Sequence, residues 1–426
     1  MLFSKKRRES RSMRALPIRR ALRGAQERYT GTPFEIGLPD GGRLRFGLGV
    51  PAIKAQFTTW RAVYDTWLRG TLGLGEGYAR GEVSFEGELE DGLTAFVGLN
   101  LERGLAPLEG LPGRSARSLG REKAGIEHHP ERSDDFYRLY LDKKLQHSCG
   151  YFHTPDDSLD LAQEQKLAFA LRKLAPRPGQ RLLDLGCGWG HLMFQAAETY
   201  GVECLGITLS DTQAAYIREQ AAARRLPVKV RVMNYLDLEE RVGWDRIIST
   251  GMRCHVGERR IDPFWDKMKA LLVPGGICLI HCLATTQETS GTDPFVRKHV
   301  LPGCGWSSLE GIVSRAAARG LNVLEVESLR RHYALTARCW RQNFLRSYDD
   351  IKRVTGVDDA FMRTWEFSLA SVVAGFRAGH MNLLQAIMSN GIQDDYPLTR
   401  ELLYIGERGA NGAAARPDLL RVPSLA

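Results

Sequence analysis

Arg181-Leu-Leu-Asp-Leu185 is a short apolar run that meets three glycines, Gly186, Gly188 and Gly190, and then a helical pattern over His191–Tyr200. A strand that turns through glycines straight into a helix commits a chain to a narrow set of α/β folds. The alternation continues: Val202–Leu209, Val228–Met233, Arg246–Thr250 and Ile277–Leu283 read as further strands. Helices are predicted over Asp211–Arg225 and Pro263–Leu272, with a Pro274-Gly-Gly276 turn before the last strand. This spacing predicts a mostly parallel sheet covered on both faces, with ligands at the carboxyl ends of its strands. Upstream, Asp157 or Ser158 can cap a helix. Its Leu159, Ala162, Leu167, Ala170 and Leu174 recur at helical spacing until Pro176-Arg-Pro-Gly179 stops it.

The glycines of Asp184-Leu-Gly-Cys-Gly-Trp-Gly190 let the backbone turn sharply and approach a ligand closely. Asp184, at the strand end, can accept hydrogen bonds beside that turn. A dinucleotide fingerprint needs its third glycine at position 191, where His191 stands. The tighter spacing suits a ligand without a pyrophosphate. S-adenosylmethionine (SAM) is the candidate, because its adenosine and amino-acid ends can both contact such a loop. A plain glycine turn is the alternative. No Gly-Lys-Ser/Thr follows, which excludes a phosphate P-loop, and no Gly-x-Ser-x-Gly elbow supports a hydrolase.

At 426 residues the chain has room for two or three domains. Residues 1–30 carry ten Lys/Arg against Glu9 and Glu27, so this basic tail holds +8 of the net +9. Phe34–Leu38 and Arg43–Phe46 alternate around Pro39-Asp-Gly-Gly42 and predict a β-hairpin. It opens a small α+β N-terminal domain over 31–108. A Gly/Pro/Arg-rich linker over 109–134 follows, and then the catalytic domain over 135–426. The stretch 340–395 reads as a helical insertion and Glu401–Gly406 as a last strand. No apolar run approaches the roughly 18–20 residues of a membrane-spanning helix, and His281 interrupts Ile277–Ala284. Eight cysteines are too sparse for a disulfide scaffold, and Cys278 and Cys282 face no second pair, so no metal is expected. A reducing cytoplasm is the default.

A longer series of blocks runs in a familiar order. It comprises Phe136–Asp142, His147-Ser-Cys-Gly-Tyr-Phe152, Ser158–Gln163, Leu182–Gly190, Gly206–Ser210 with Gln213, and Gly251-Met-Arg-Cys-His-Val-Gly257. Asp293-Pro-Phe295, His332-Tyr333 with Thr336 and Trp340, Phe361–Trp365, Phe376-Arg377 and Gln385 complete it, and Gly73–Tyr78 with Gly81-Glu82 matches upstream. The series resembles the cyclopropane-fatty-acyl-phospholipid synthase family. The resemblance implies a Rossmann-like class I SAM-dependent methyltransferase that methylates the cis double bond of an unsaturated phospholipid acyl chain through a carbocation. Aromatic faces can stabilise such a cation by roughly 0.5–2 kcal/mol per ring. Phe295, Tyr333, Trp340 and Trp365 are available for that, with ordinary core packing as the alternative for each.

Residue by residue, the resemblance implies that Ser148, Gly186, Gly188, Gly190, Thr208 and Gln213 bind SAM. Asp184 would support the loop and Tyr235 would lie near the adenine. It also implies a catalytic bicarbonate held by a Cys, a Glu, a His and a Tyr. Cys149, His281 and Tyr333 match three of these, but Cys254 stands where the family writes Glu. Position 147 departs too, being His147 where Tyr is usual. A thiol is a weak donor and a poor substitute for a carboxylate acceptor. Without a well-placed base, the cation can lose a proton from a neighbouring chain carbon and give a methyl-branched alkene instead of a ring. Ring closure with Glu258 or water compensating is the alternative, and a catalytically impaired lipid-binding homologue is a third reading. The tail then fits an anionic membrane surface at the cytoplasmic face, not nucleic acid, and a homodimer is compatible with the family.

Overall fold

The computed structural model describes residues 22–99, 134–257, 260–286, 293–300 and 306–404. Most of the basic tail, nearly all of the predicted linker and Glu258 lie outside the described residues. The chain forms two compact units. One gathers the described residues of Met1–Tyr140, Thr292–Pro302 and Ala337–His380. The other gathers those of Leu141–Gly291, Gly303–Thr336 and Met381–Ala426.

The first unit holds a four-stranded sheet of β1 (Phe34–Gly37), β2 (Arg43–Phe46), β3 (Ile53–Phe57) and β4 (Val83–Glu86), ordered β2-β1-β3-β4. β1 and β2 make the predicted hairpin, with Phe34 opposite Phe46 and their rings stacked at 4.7 Å. Helices Trp60–Arg69, Thr71–Ala79, Leu89–Gly98 and Asp359–Arg377 belong to the same unit. Gly75 sits where a Cβ would come within 2.4 Å of the Phe295 ring, so the Gly73–Tyr78 block works here as a packing motif. Phe295 packs edge-on to Phe367, and Trp365 lies among Phe136, Tyr140 and Phe361.

The second unit carries the predicted glycine-turn sheet. Its strands are β5 (Arg181–Leu185), β6 (Glu203–Thr208), β7 (Val228–Val232), β8 (Trp244–Thr250), β9 (Leu272–Thr285), β10 (Ser307–Ser308), β11 (Leu321–Ser328) and β12 (Met381–Asn390). The order is β11-β12-β9-β8-β5-β6-β7, with β10 beside β9. β7 through β9 run parallel, while β12 is antiparallel to both of its neighbours. Helix Leu159–Leu174 begins at Ser158, whose Oγ accepts from Leu161 N at 3.2 Å, and helix Asp211–Arg224 begins likewise at Ser210. These caps satisfy orphan donors of the first turn and fix where each helix starts. A buried core of Leu171, Leu182, Met193, Ile217, Ile248 and Leu279 joins helices to sheet.

Three expectations are corrected. Pro274–Gly276 is no separating turn but lies inside β9; Gly275, at φ 74°, and a register irregularity opposite Trp244 and Arg246 absorb it. The end of the predicted helical insertion is β12. Helices Arg330–Arg346, Tyr348–Thr355 and Asp359–Arg377 do fall between β11 and β12, but Leu383, Leu384, Ala386, Ile387 and Met388 form a strand buried on both faces. Such a strand shows no alternation. Glu401–Tyr404 is a short 3₁₀ turn where a strand was expected.

Candidate active site

The second unit places its polar groups at the carboxyl ends of parallel strands. Asp184 sits near the end of β5, Thr208 ends β6, Asn234–Asp237 follow β7, and Gly251 with the Met252–His255 turn follows β8. This is where open α/β sheets bind ligands, because side chains and loops from successive strands converge there.

The glycine turn is held by Gly186 N and Cys187 N, which both donate to Ile207 O at 2.9 and 3.1 Å. Gly186, Gly188 and Gly190 all have positive φ, at 84°, 53° and 79°. Two of them do different work. An added Cβ at Gly188 would meet nothing within 4 Å, so this position borders open space. At Gly190 it would meet Ile217 at 2.8 Å, which makes Gly190 a packing position at the start of helix His191–Tyr200. On β6, Thr208 Oγ1 donates to Gln213 Oε1 at 2.7 Å, holding the two predicted cofactor residues together. Asn234 Oδ1 accepts from Leu236 N at 2.9 Å and shapes the turn carrying Tyr235, whose ring lies edge-on to Phe264.

Residues 146–152 are pinned from two helices. Gln163 Nε2 donates to Ser148 O at 2.8 Å and Lys166 Nζ to Ser148 Oγ at 2.9 Å. From helix Arg330–Arg346, Thr336 Oγ1 accepts from Gly150 N at 3.0 Å, and His332 Nδ1 accepts from Phe152 N at 3.0 Å. Cys149 is fully buried, and burial pushes its thiol well above its ordinary value. Burial likewise raises the Tyr333 phenol, and the Cys149 and Cys254 thiols beside it add to the rise. Cys149 and Cys254 are therefore each brought within electrostatic reach of Tyr333, and burial keeps the Cys149 thiol and the phenol protonated.

His281 lies within β9, opposite Gln385 of β12, and the Gln385 amide nitrogen is 3.0 Å from its Nδ1. Burial first, then the charges of Lys166 and Lys173, holds the imidazole down at about 3, so it is neutral. With the Gln385 NH₂ donating to Nδ1, the ring proton rests on Nε2. That Nε2 is buried with no hydrogen-bond partner among the described residues. A buried donor left without an acceptor is costly and marks a place for one. Cys254, 4% exposed, accepts Leu283 N at 3.1 Å through Sγ. The position that faces Tyr333 thus supplies sulfur, not a carboxylate.

Asp184 and Lys166 went in opposite directions on burial. The carboxyl of Asp184 is pushed up to about 7 by desolvation, opposed by the Lys166 charge. The ammonium of Lys166 is pushed down to about 8 by desolvation, opposed by Asp142, Cys149 and Asp184. The sequence reading named Asp184 but not Lys166, Gln163 or Gln385 as site residues. The signal for the first two was present: both sit on the otherwise apolar stripe of helix Leu159–Leu174. Gln385 became informative only when the β9–β12 register placed it against His281.

Residues 117–386 match the family model of mycolic acid cyclopropane synthetase, well over half of the chain. The chain belongs to this family. It is 31% identical over 341 residues to a probable fatty acid methyltransferase of Pseudomonas putida, covering 78% of this chain and 86% of that one. With the cyclopropane-fatty-acyl-phospholipid synthase of Escherichia coli K12 it shares 29% over 343 residues, at the same coverage of each chain. Among solved structures it resembles mycolic acid cyclopropane synthase CmaA1 complexed with SAH and CTAB, with a TM-score of 0.57 and 30% identity. That likeness covers 63% of this chain and 98% of that one. The protein is a SAM-dependent methyltransferase with the class I fold. The residues present fit that cofactor: an open glycine turn at Gly188, the Thr208–Gln213 pair, and a buried carboxyl at Asp184.

Proposed function

We propose that this enzyme methylates the cis double bond of unsaturated phospholipid acyl chains and releases a methyl-branched alkene instead of closing a cyclopropane. The relatives' names point to fatty acyl substrates, and the basic tail over residues 1–30 suits an anionic membrane surface. No helix among the described residues is long and apolar enough to cross a membrane. SAM, when bound, supplies an electrophilic methyl group, and the alkene that takes it is left as a cation that must give up one proton to become product. Which proton departs decides the product. Loss from the new methyl closes the ring; loss from the adjoining chain carbon leaves a branched alkene.

The observation that carries this reading is the thiol of Cys254, satisfied by Leu283 N and offering no carboxylate acceptor. His281 Nε2 and the Tyr333 phenol are donors that fit the oxygens of a bicarbonate, which when bound would supply a base. The acceptor that would orient its proton is replaced at Cys254 by a group too weak for the task. Burial keeps His281 neutral and keeps the Cys149 thiol and the Tyr333 phenol protonated, so none of these three competes as a strong base.

The test is to express the chain in a bacterium that makes cis-monounsaturated phospholipids but no cyclopropanes. Fatty-acid methyl esters are then read by mass spectrometry and proton NMR. A product one CH₂ heavier, with a new methyl signal and a surviving vinyl proton, is expected. Upfield ring-methylene protons would reverse the product assignment, and no mass change would remove the substrate assignment.

A further inference from the structure

Lys166 is 3% exposed, within a helix whose neighbouring buried positions are mostly apolar. Desolvating an ammonium costs several kcal/mol unless anions and hydrogen bonds replace the lost water. What replaces it here is one neutral oxygen, Ser148 Oγ at 2.9 Å, for a group with three N–H donors. The acids that favour its charge, Asp142 and Asp184, act through the field and not through a hydrogen bond to Nζ. Asp142 is already engaged by Lys144 N and Gln146 N at 2.9 and 2.8 Å. Asp184, at the start of the glycine turn, likewise interacts with Lys166 at a distance.

A lysine and an aspartate that served only the fold would close on each other. These two face the same buried region and are held apart, one beside Ser148 and one beside Gly186. The amino-acid end of SAM is a zwitterion, with an α-carboxylate and an α-ammonium on one carbon. We propose that Lys166, together with the Ser148 hydroxyl, is the receptor for the α-carboxylate of SAM, with Asp184 left for the ammonium. The ammonium then gains the anion its burial requires, and Gln163, holding Ser148 O, keeps the hydroxyl aimed. The inference rests on SAM as the cofactor and is independent of which lipid product forms.

The test measures binding, not turnover. Kd for SAM and for decarboxylated SAM, which lacks only this carboxylate, is determined on the full chain and on Lys166→Met. The wild type is expected to prefer SAM by about 10- to 100-fold, the usual range for a charged hydrogen-bonded contact. Lys166→Met is expected to lose that preference by weakening SAM alone, leaving decarboxylated SAM within about threefold. Lys166→Gln, which keeps a neutral donor for Ser148, serves as a second variant should the methionine fail to fold. Lys166→Arg should keep part of the preference. Equal weakening of both ligands would mean a merely structural lysine and would overturn the proposal, as would a wild type that does not discriminate.

Discussion

Leu283 N donates to Cys254 Sγ at 3.1 Å, tying the turn after β8 to the strand that carries His281. The contact is compatible with the fold and unhelpful to a base site. Restoring the carboxylate should therefore redirect the proton: Cys254→Glu is expected to raise the cyclopropane share of the products at the expense of branched alkene. The share is read from ring-methylene against vinyl and methyl signals. An unchanged product ratio would reject the role given to this position.

Gln385 fixes the His281 tautomer across the β9–β12 pair. Gln385→Leu removes that partner while keeping the strand apolar, and should lower kcat by about tenfold or more, the cost of a buried hydrogen bond to a working group. SAM affinity should stay within about twofold. Steady-state kinetics beside a binding titration would separate the two effects, and an equal loss in both would point to a disturbed strand.

The neutral burial of His281 sets a stability window. Its pKa is about 3 in the folded protein against an unfolded value near 6.5. Between those values the native state binds fewer protons than the unfolded chain. The contribution is therefore fully present above about pH 6.5 and lost as pH falls toward 3. Wild type should lose on the order of 2 kcal/mol more than His281→Gln between pH 7.5 and 4.5, by urea midpoints. Parallel curves for the two proteins would contradict the assignment.

Gly188 and Gly190 should fail differently. Gly190→Ala meets Ile217 at a positive φ and should destabilise the protein by about 2 kcal/mol or more. Gly188→Ala carries only the conformational strain, about 1 kcal/mol, because its Cβ points into open space. Its effect should instead be loss of SAM binding. Chemical denaturation and a SAM titration on both variants decide the matter; a Gly188→Ala protein with normal SAM affinity would place the cofactor elsewhere.

Much of this was legible in the residues. The β5 strand and the helix His191–Tyr200 were readable to the residue, because a strand, three glycines and an apolar helical stripe leave little choice. Ser158 capped as its spacing required. β12 was not readable: Met381–Asn390 is rich in Leu, Gln, Ala and Met, good helix formers, and only burial between β9 and β11 makes it a strand. The packing of Gly190 against Ile217 was not readable, because Ile217 comes from another helix. Lys166 stands out in the sequence as a polar residue on the apolar stripe of helix Leu159–Leu174, but its contact with Ser148 appears only in the fold.

The central claim concerns which proton leaves the methylated chain, and isotope retention reads it directly. Purified enzyme is given SAM labelled with a trideuteromethyl group and vesicles of cis-monounsaturated phospholipid, and the product chains are weighed. Retention of all three deuterium atoms is predicted, because the departing proton comes from the acyl chain. Loss of one deuterium would mean that the new methyl is deprotonated and would contradict the branched-alkene account.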